Sequence, residues 1–501
     1  MKQRLSPVAR HPSPVARRPS PVAVIDRKLE RLSLYFLAAF ALTAVFLFYW
    51  QVVDANTLVN RPDNGRLSTA QLAVHRGTVY DRNGVVLART TFAVDGTPTR
   101  TYTIPSLSPL LGYHSPRYLN SGLEDIYNDY LNGQGALQPV DNTVRRWLHE
   151  PIIGDDLHLT IDARIQQIVT AAMGTGSGAC VVADPRTGEI LALESQPWID
   201  SNKVDEPGYM TAMQARTDSP FVDRAIQAAY APGSTFKTVT LTAAYDTGTY
   251  DTTTVLSGTD AVGPLYEDGV LLPSSINNLP PNVYAVTTVD AFKYSDNIAF
   301  AAMGVHLGPR VLLDYAGRFG FGQTIPFALP VTPSSVSPHP GTMSKLDVAY
   351  SAFGQDAVLA TPLQMLLTAT AVANGGAEGR PYVVSKVTAP NGEALQQNGP
   401  SIFSHPMSTG TAAKMTQAMT AVVESPGGSG FEAQVPGVQV AGKTGTAQVT
   451  SGAPHAWFIG FAPADKPRLA VVVFKQNGGE GYSQAAPIAG SILRQALPLV
   501  R

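Results

Sequence analysis

The apolar positions of this chain change period along its length, and each period predicts a different element. Residues 32–53 form a run of 22 without a charge, rich in Leu, Phe, Ala and Val; as a helix they reach roughly 33 Å, enough to cross a bilayer. Tyr35, Tyr49 and Trp50 lie toward its ends, where amphipathic rings favour a membrane interface. Residues 79–87 read as a hairpin turning at Asn83-Gly84, where positive φ is cheap. Alternation returns at 156–162, ahead of a helical pattern over 164–173. Residues 178–183 and 189–195 read as strands around the turn composition Asp184-Pro185-Arg186-Thr187-Gly188, and 455–461 and 469–474 as strands around Ala464-Asp465-Lys466-Pro467. Buried-helix patterns cover 235–245 and 298–307, and a final helix covers 486–497. Strand pairs at both ends of a helix-rich middle predict an α+β fold, an antiparallel sheet covered by helices. Residues 97–116 carry no such pattern and read as loop.

Length and charge add topology. A chain of 501 residues exceeds one core. The division expected is a basic tail at 1–31, a transmembrane helix at 32–53, a membrane-proximal module at 54–154 and a catalytic domain at 155–501. Net charge is −2, which gives no reason to expect nucleic-acid binding, yet residues 1–31 hold eight Lys/Arg against Asp26 and Glu30. That bias places the N-terminus in the cytoplasm and the residues after the span outside. The span is too long for a cleavable signal, and no Ala-x-Ala site follows, so it is read as a retained single-pass anchor. Within 6–25 a Ser-Pro-Val-Ala unit recurs with proline in each copy, which predicts a disordered tail. Cys180 is alone in an apolar run, a buried thiol with no intrachain disulfide open to it.

The chemistry concentrates in three short segments. In Ala231-Pro232-Gly233-Ser234-Thr235-Phe236-Lys237, turn residues lead into a helix, so Ser234 sits at its first turn and Lys237, three residues on, shares its face. Alone, this is as readily a helix cap followed by an unrelated lysine. Ser295-Asp296-Asn297 then opens the apolar run at 298, and Lys443-Thr444-Gly445-Thr446 lies between apolar strand patterns. A rival Ser275-Ile276-Asn277 lies in a Pro/Asn loop with no helix pattern after it, which favours Ser295.

In this order the three segments resemble the motif set of the penicillin-recognising acyl-serine transferases. Arg76-Gly77-Thr78-Val79-Tyr80-Asp81-Arg82-Asn83-Gly84, and Gly122-Leu123-Glu124 with Tyr127 and Leu131, are similar to segments of the membrane-proximal module of class B penicillin-binding proteins. The resemblance covers roughly residues 70–500 and is strongest to the actinobacterial penicillin-binding protein A group. Residues 354–364 are also similar to a family segment, with Asp356 where glycine is expected.

The resemblance implies a serine-type D,D-transpeptidase that cross-links peptidoglycan stem peptides and is acylated by β-lactams, without cofactor or metal. Ser234 is expected to be the nucleophile. Lys237 would be its base, with a pKa lowered by burial and by the charge of Lys443. Ser295 would relay a proton and Asn297 would bind the substrate amide. Lys443, with the Thr444 and Thr446 hydroxyls, would hold a carboxylate. Gly445 would let the substrate strand approach, Asp296 would face inward, and the N–H groups of Ser234 and Thr446 would form the oxyanion hole. After the span the chain holds only a small module and one acyl-serine domain. The implied partner is therefore a multi-span glycan polymerase of the shape, elongation, division and sporulation family.

Two other readings share the motifs. A β-lactamase needs a deacylating Glu-x-x-x-Asn, which Glu378, Glu393 and Glu424 do not provide. A membrane β-lactam sensor would need a cytoplasmic effector domain. His455 in Pro454-His455-Ala456-Trp457 suggests a Ser/His/Asp triad, but no Gly-x-Ser-x-Gly elbow accompanies it.

Overall fold

The computed structural model describes residues 21–54, 74–135 and 151–500, apart from 93, 95–96, 268–269 and 273–275. The chain divides into two compact units, Met1–Gln71 and Leu72–Arg501.

In the first unit, helix α1 (Pro21–Phe48) continues through a wider π-helical turn at Tyr49–Val53. Within it Arg31–Gln51 is long and apolar enough to cross a membrane. Helix thus begins inside the stretch read as a disordered tail. Proline at the first helical position forfeits no hydrogen bond, and no proline follows Pro21 in the run. The repeat before Pro21 lies outside the described residues.

The second unit is built on two sheets. The elements that build these sheets and carry the motifs are, in order, β1 (Val79–Tyr80), β2 (Val86–Phe92), β3 (Pro98–Tyr102), β4 (Asp156–Leu159), α2 (Ala163–Met173), β5 (Gly178–Ala183) and β6 (Ile190–Gln196). Then come α3 (Lys237–Asp246), α4 (Asn297–Arg318), α5 (Pro362–Ala373), β7 (Val384–Thr388), β8 (Ala394–Gln397), β9 (Ala441–Ala447), β10 (His455–Ala462), β11 (Leu469–Lys475) and α6 (Gly481–Ala496).

The five-stranded sheet has the order β9-β10-β11-β5-β6, antiparallel throughout, with β9 at one edge. Every residue of β5, β6 and β10 is buried, so helices cover both faces. α2 and α6 pack together on one face, and α5 lies across β5, β10 and β11 on the other. This is the predicted antiparallel sheet covered by helices.

The second sheet has the order β8-β7-β4-β1-β2-β3 and takes strands from both sides of residue 154. Its parallel pair Val79↔Leu157 joins the membrane-proximal segment to the start of the catalytic segment. The Asn83-Gly84 turn strengthens that joint. Asp81 Oδ1 accepts from the backbone N–H groups of Asn83 (2.7 Å) and Val85 (2.8 Å), while Oδ2 accepts from Ala163 N (3.1 Å) at the start of α2.

The stretch 97–116 is not loop. It forms β3, a 3-10 turn at Pro105–Leu107 and a helical turn at Ser108–Leu111. The inward positions of β3 are Arg100 and Tyr102, so a buried arginine stands where an apolar residue would have revealed the alternation. Arg100 Nε reaches Glu124 Oε1 at 2.7 Å and Arg76 Nε reaches Glu124 Oε2 at 2.6 Å, all three side chains buried. The two segments singled out in the module are therefore clamped by one carboxylate. Burial alone would raise the Glu124 carboxyl, but Arg100 and Arg76 outweigh it and hold it at about 2. Its folded pKa lies below its unfolded value, so this contribution is present above the ordinary carboxylate range and is lost as pH falls toward 2. Glu124→Ala leaves two buried guanidinium groups facing each other and is expected to cost about 3–5 kcal/mol. Urea denaturation of the full-length protein in detergent measures it, and a loss below about 1 kcal/mol would contradict the clamp.

Candidate active site

The Ser234 turn is held from three sides. Gly233–Phe236 form a 3-10 turn that runs directly into α3, so Ser234 precedes the α-helix by three residues. Gly233 has φ +53 and its N–H donates to Gly354 O at 2.9 Å. A Cβ on Gly233 would lie 2.6 Å from Thr446 O, and one on Gly354 would lie 2.0 Å from Gly233 O. Trp457 Nε1 donates to Ala231 O at 3.0 Å. Gly445 serves the same approach: a Cβ there would meet Pro232 O at 2.8 Å and Thr235 Cγ2 at 2.9 Å. Its small size lets β9 pack on the serine's turn. Asp356, where glycine was expected, adopts φ 61, so it takes up the left-handed conformation a glycine would have there.

Behind this turn the remaining motif residues converge. Lys237 Nζ, fully buried, donates to Ser295 O (2.6 Å), Asn297 Oδ1 (2.7 Å) and Ser295 Oγ (3.3 Å). Lys443 Nζ, also fully buried, reaches the same Ser295 Oγ at 2.8 Å and Thr444 O at 2.9 Å. Ser295 Oγ thus sits between two lysines. No hydrogen bond joins Lys237 to Ser234. Burial pushes the Lys237 ammonium down to about 7, partly opposed by Asp296. Burial also holds Lys443 well below its ordinary value, and the charge of Lys237 adds to that. Burial rather than Lys443 therefore carries the Lys237 shift.

Ser295 adopts φ 59, costly for a residue with a Cβ, and the surroundings hold it there. Asp296 faces inward and caps α4: it is fully buried and accepts from Ala299 N (2.9 Å) and Asn278 N (3.1 Å). Asn278 Nδ2 in turn donates to Ser295 O at 2.7 Å, and Asn297 Nδ2 to Ile276 O at 3.1 Å. The Pro/Asn loop set aside as a rival thus supports Ser295; Ser275 itself lies outside the described residues.

The threonines of β9 show what the sequence concealed. Thr444 Oγ1 donates to Ser429 Oγ at 3.0 Å, and Thr446 Oγ1 donates to Glu480 Oε2 at 2.8 Å while accepting from Gly481 N at 3.1 Å. Neither partner was singled out, because Ser429 lies in a Gly-rich loop and Glu480 in a loop 34 residues from Thr446. Thr446 O accepts from Gln355 Nε2 at 3.3 Å rather than from β10. On a strand the N–H and C=O of one residue point the same way, so the Thr446 N–H also faces off the open edge, beside Gly233. His455 lies apart from this cluster: its Nδ1 accepts from Asn477 N at 3.0 Å and its ring packs on Tyr230 and Phe474. Cys180 is buried, its thiol pushed well above its ordinary pKa by burial.

Comparison with known proteins agrees along the whole second unit. Residues 178–494 match the penicillin binding protein transpeptidase domain, and residues 76–151 the penicillin binding protein A dimerisation domain. Peptidoglycan D,D-transpeptidase PbpA of Mycobacterium tuberculosis is 31% identical over 497 residues, 94% of this chain and 99% of its own length. Its namesake in Mycolicibacterium smegmatis is 30% identical over 498 residues, with the same 94% and 99% coverage. Among solved structures, the imipenem acyl-enzyme complex of penicillin-binding protein A from M. tuberculosis has a TM-score of 0.78 at 32% identity, covering 85% of this chain and 99% of that one. The convergence of the three motifs and these likenesses place the chain in the penicillin-binding protein transpeptidase family, as a class B member.

Proposed function

We propose that this chain is a peptidoglycan D,D-transpeptidase working through an acyl-serine intermediate on Ser234. The observation that carries the reading is Ser295 Oγ within 3.3 Å of Lys237 Nζ and 2.8 Å of Lys443 Nζ, a buried proton path beside the serine's turn. Ser234 Oγ attacks the carbonyl of the penultimate D-alanine, and neutral Lys237 takes its proton. The N–H groups of Ser234 and Thr446 receive the oxyanion. As the peptide C–N bond breaks, Ser295 passes the proton to the departing D-alanine nitrogen. An acceptor amine then attacks the ester, returning a proton to Ser234 Oγ. Asn297 orients the substrate amide, and Lys443 meets a substrate or β-lactam carboxylate, whose charge favours the ammonium form that burial alone disfavours. The relatives' names as D,D-transpeptidases, and the β-lactam acyl-enzymes of the M. tuberculosis protein, support the reading. Incubating the full-length protein with a peptide ending in D-Ala-D-Ala and an amine-bearing peptide is expected to release D-alanine and yield the cross-linked product. Hydrolysis alone would make it a carboxypeptidase.

On this reading residues 32–53 anchor the chain by a single span, residues 1–31 are a cytoplasmic tail, and residues 54–154 and 155–501 work outside the membrane. Protease added to spheroplasts is expected to digest the catalytic domain and spare an N-terminal tag; full protection of the domain would refute the topology. Cross-linking consumes newly made glycan, which a multi-span polymerase of the shape, elongation, division and sporulation family would supply. Ala38, Ala39, Ala41 and Ala44 permit close helix packing in the span. An unrelated span in place of 32–53 is expected to keep penicillin binding while losing co-purification with the polymerase; unchanged co-purification would leave the span a plain anchor.

A further inference from the structure

A threonine hydroxyl has one proton to donate and two lone pairs. At Thr446 the proton goes to Glu480 Oε2 (2.8 Å) and one lone pair takes the N–H of Gly481 (3.1 Å), the first residue of α6. The Thr446 hydroxyl is thus engaged by Glu480 and Gly481. Beside it stands the carboxylate of Glu480 itself. That side chain is exposed, and no Lys, Arg or His pairs with it among the described residues. Thr446 adjoins the Ser234 turn through Gly233, so an unneutralised negative charge stands one hydrogen bond from the residue that flanks the nucleophile. Such a charge raises the local concentration of cations and disfavours anions.

We propose that Glu480 sets acceptor specificity: its carboxylate, held on Thr446, receives the ammonium group of the second, amine-bearing peptide and so favours transfer over hydrolysis. This rests on the transpeptidase reading above and names the recognition of its second substrate. The bound ammonium first loses one proton to solvent, exposing its lone pair. On attack the second proton leaves through Ser295 and Lys237 to Ser234 Oγ as the ester C–O bond breaks.

The test compares full-length wild type with Glu480→Gln and Glu480→Ala, using a D-Ala-D-Ala donor and a lysine-bearing peptide as acceptor. Glu480→Gln keeps an oxygen for the Thr446 proton and removes only the charge. The expected result is an acceptor KM raised about 3- to 30-fold in Glu480→Gln, with a larger share of hydrolysed product, and a gap that closes in high salt. The change in acceptor KM should exceed any change in the rate of acylation by a fluorescent penicillin. An acceptor KM unchanged in Glu480→Gln but raised in Glu480→Ala would overturn the proposal, leaving Glu480 as a positioner of Thr446. A rise indifferent to salt would overturn it too. If the wild type labels on Ser234 yet gives only hydrolysis, the transfer reading falls first and this inference with it.

Discussion

Replacing Ser234 by alanine is expected to abolish covalent capture of a fluorescent penicillin while leaving the thermal unfolding of the protein unchanged. The side chain is half-buried, and no hydrogen bond to its hydroxyl holds the turn together. The turn instead depends on the Gly233 N–H to Gly354 O bond, the Thr235 Oγ1 to Pro232 O bond at 2.7 Å and the packing of β9 over Gly445. Alanine disturbs none of these. Ser234 heads a helix whose lysine, one turn on, is buried and pushed down to about 7, and it is more exposed than Ser295, the buried serine on the other side of that lysine. Where nucleophilic serines have been removed from acyl-transfer enzymes the loss is on the order of 10⁶-fold. Label that survives in Ser234→Ala and maps to another residue would refute the assignment.

How far the site was legible depended on sequence distance. Ser234 and Lys237 share one helical turn and Ser295 opens another helix, so local pattern exposed them. Lys443 declared itself by its Thr-Gly-Thr context. That both lysines meet on Ser295 Oγ depends on packing between α3, α4 and β9, which no local period encodes. The partners of the threonines were invisible for a sharper reason: Ser429 and Glu480 lie in loops, where composition signals a turn and nothing more. In the fold, β5, β6, β10 and β11 were readable because they are short apolar runs with turn residues between them, whereas β9, Ala-Gly-Lys-Thr-Gly-Thr-Ala, is not such a run. Of the second sheet, the β1–β2 hairpin and β4 were readable; β3 was not, since it turns a buried arginine inward. The boundary expected near residue 154 rested on the alternation that starts at 156, whereas the β1–β4 pairing carries one sheet across it.

Lys237→Met is expected to lower the rate of penicillin acylation by about 10²- to 10⁴-fold, the usual contribution of a positioned general base. Methionine keeps the stem that runs past Phe300 and Phe353, whose ring centres lie 5.3 and 6.0 Å from Nζ, so the protein should still fold. Arginine is no rescue, because a guanidinium does not give up its proton in this range. The pH profile makes the same point without a mutation. Burial brings the Lys237 pKa from its ordinary value down to about 7. Only the neutral amine can accept the serine proton, so the wild-type rate at subsaturating penicillin should rise nearly tenfold per unit below pH 7 and level off above it. In Lys237→Met that inflection should vanish from whatever rate remains. A wild-type rate flat from pH 5.5 to 8.5 would remove Lys237 as the base, and so would an inflection that persists in the methionine variant. In the second case the proton would have to pass through another group, and Lys443, on the far side of the same Ser295 hydroxyl, is the one the geometry leaves.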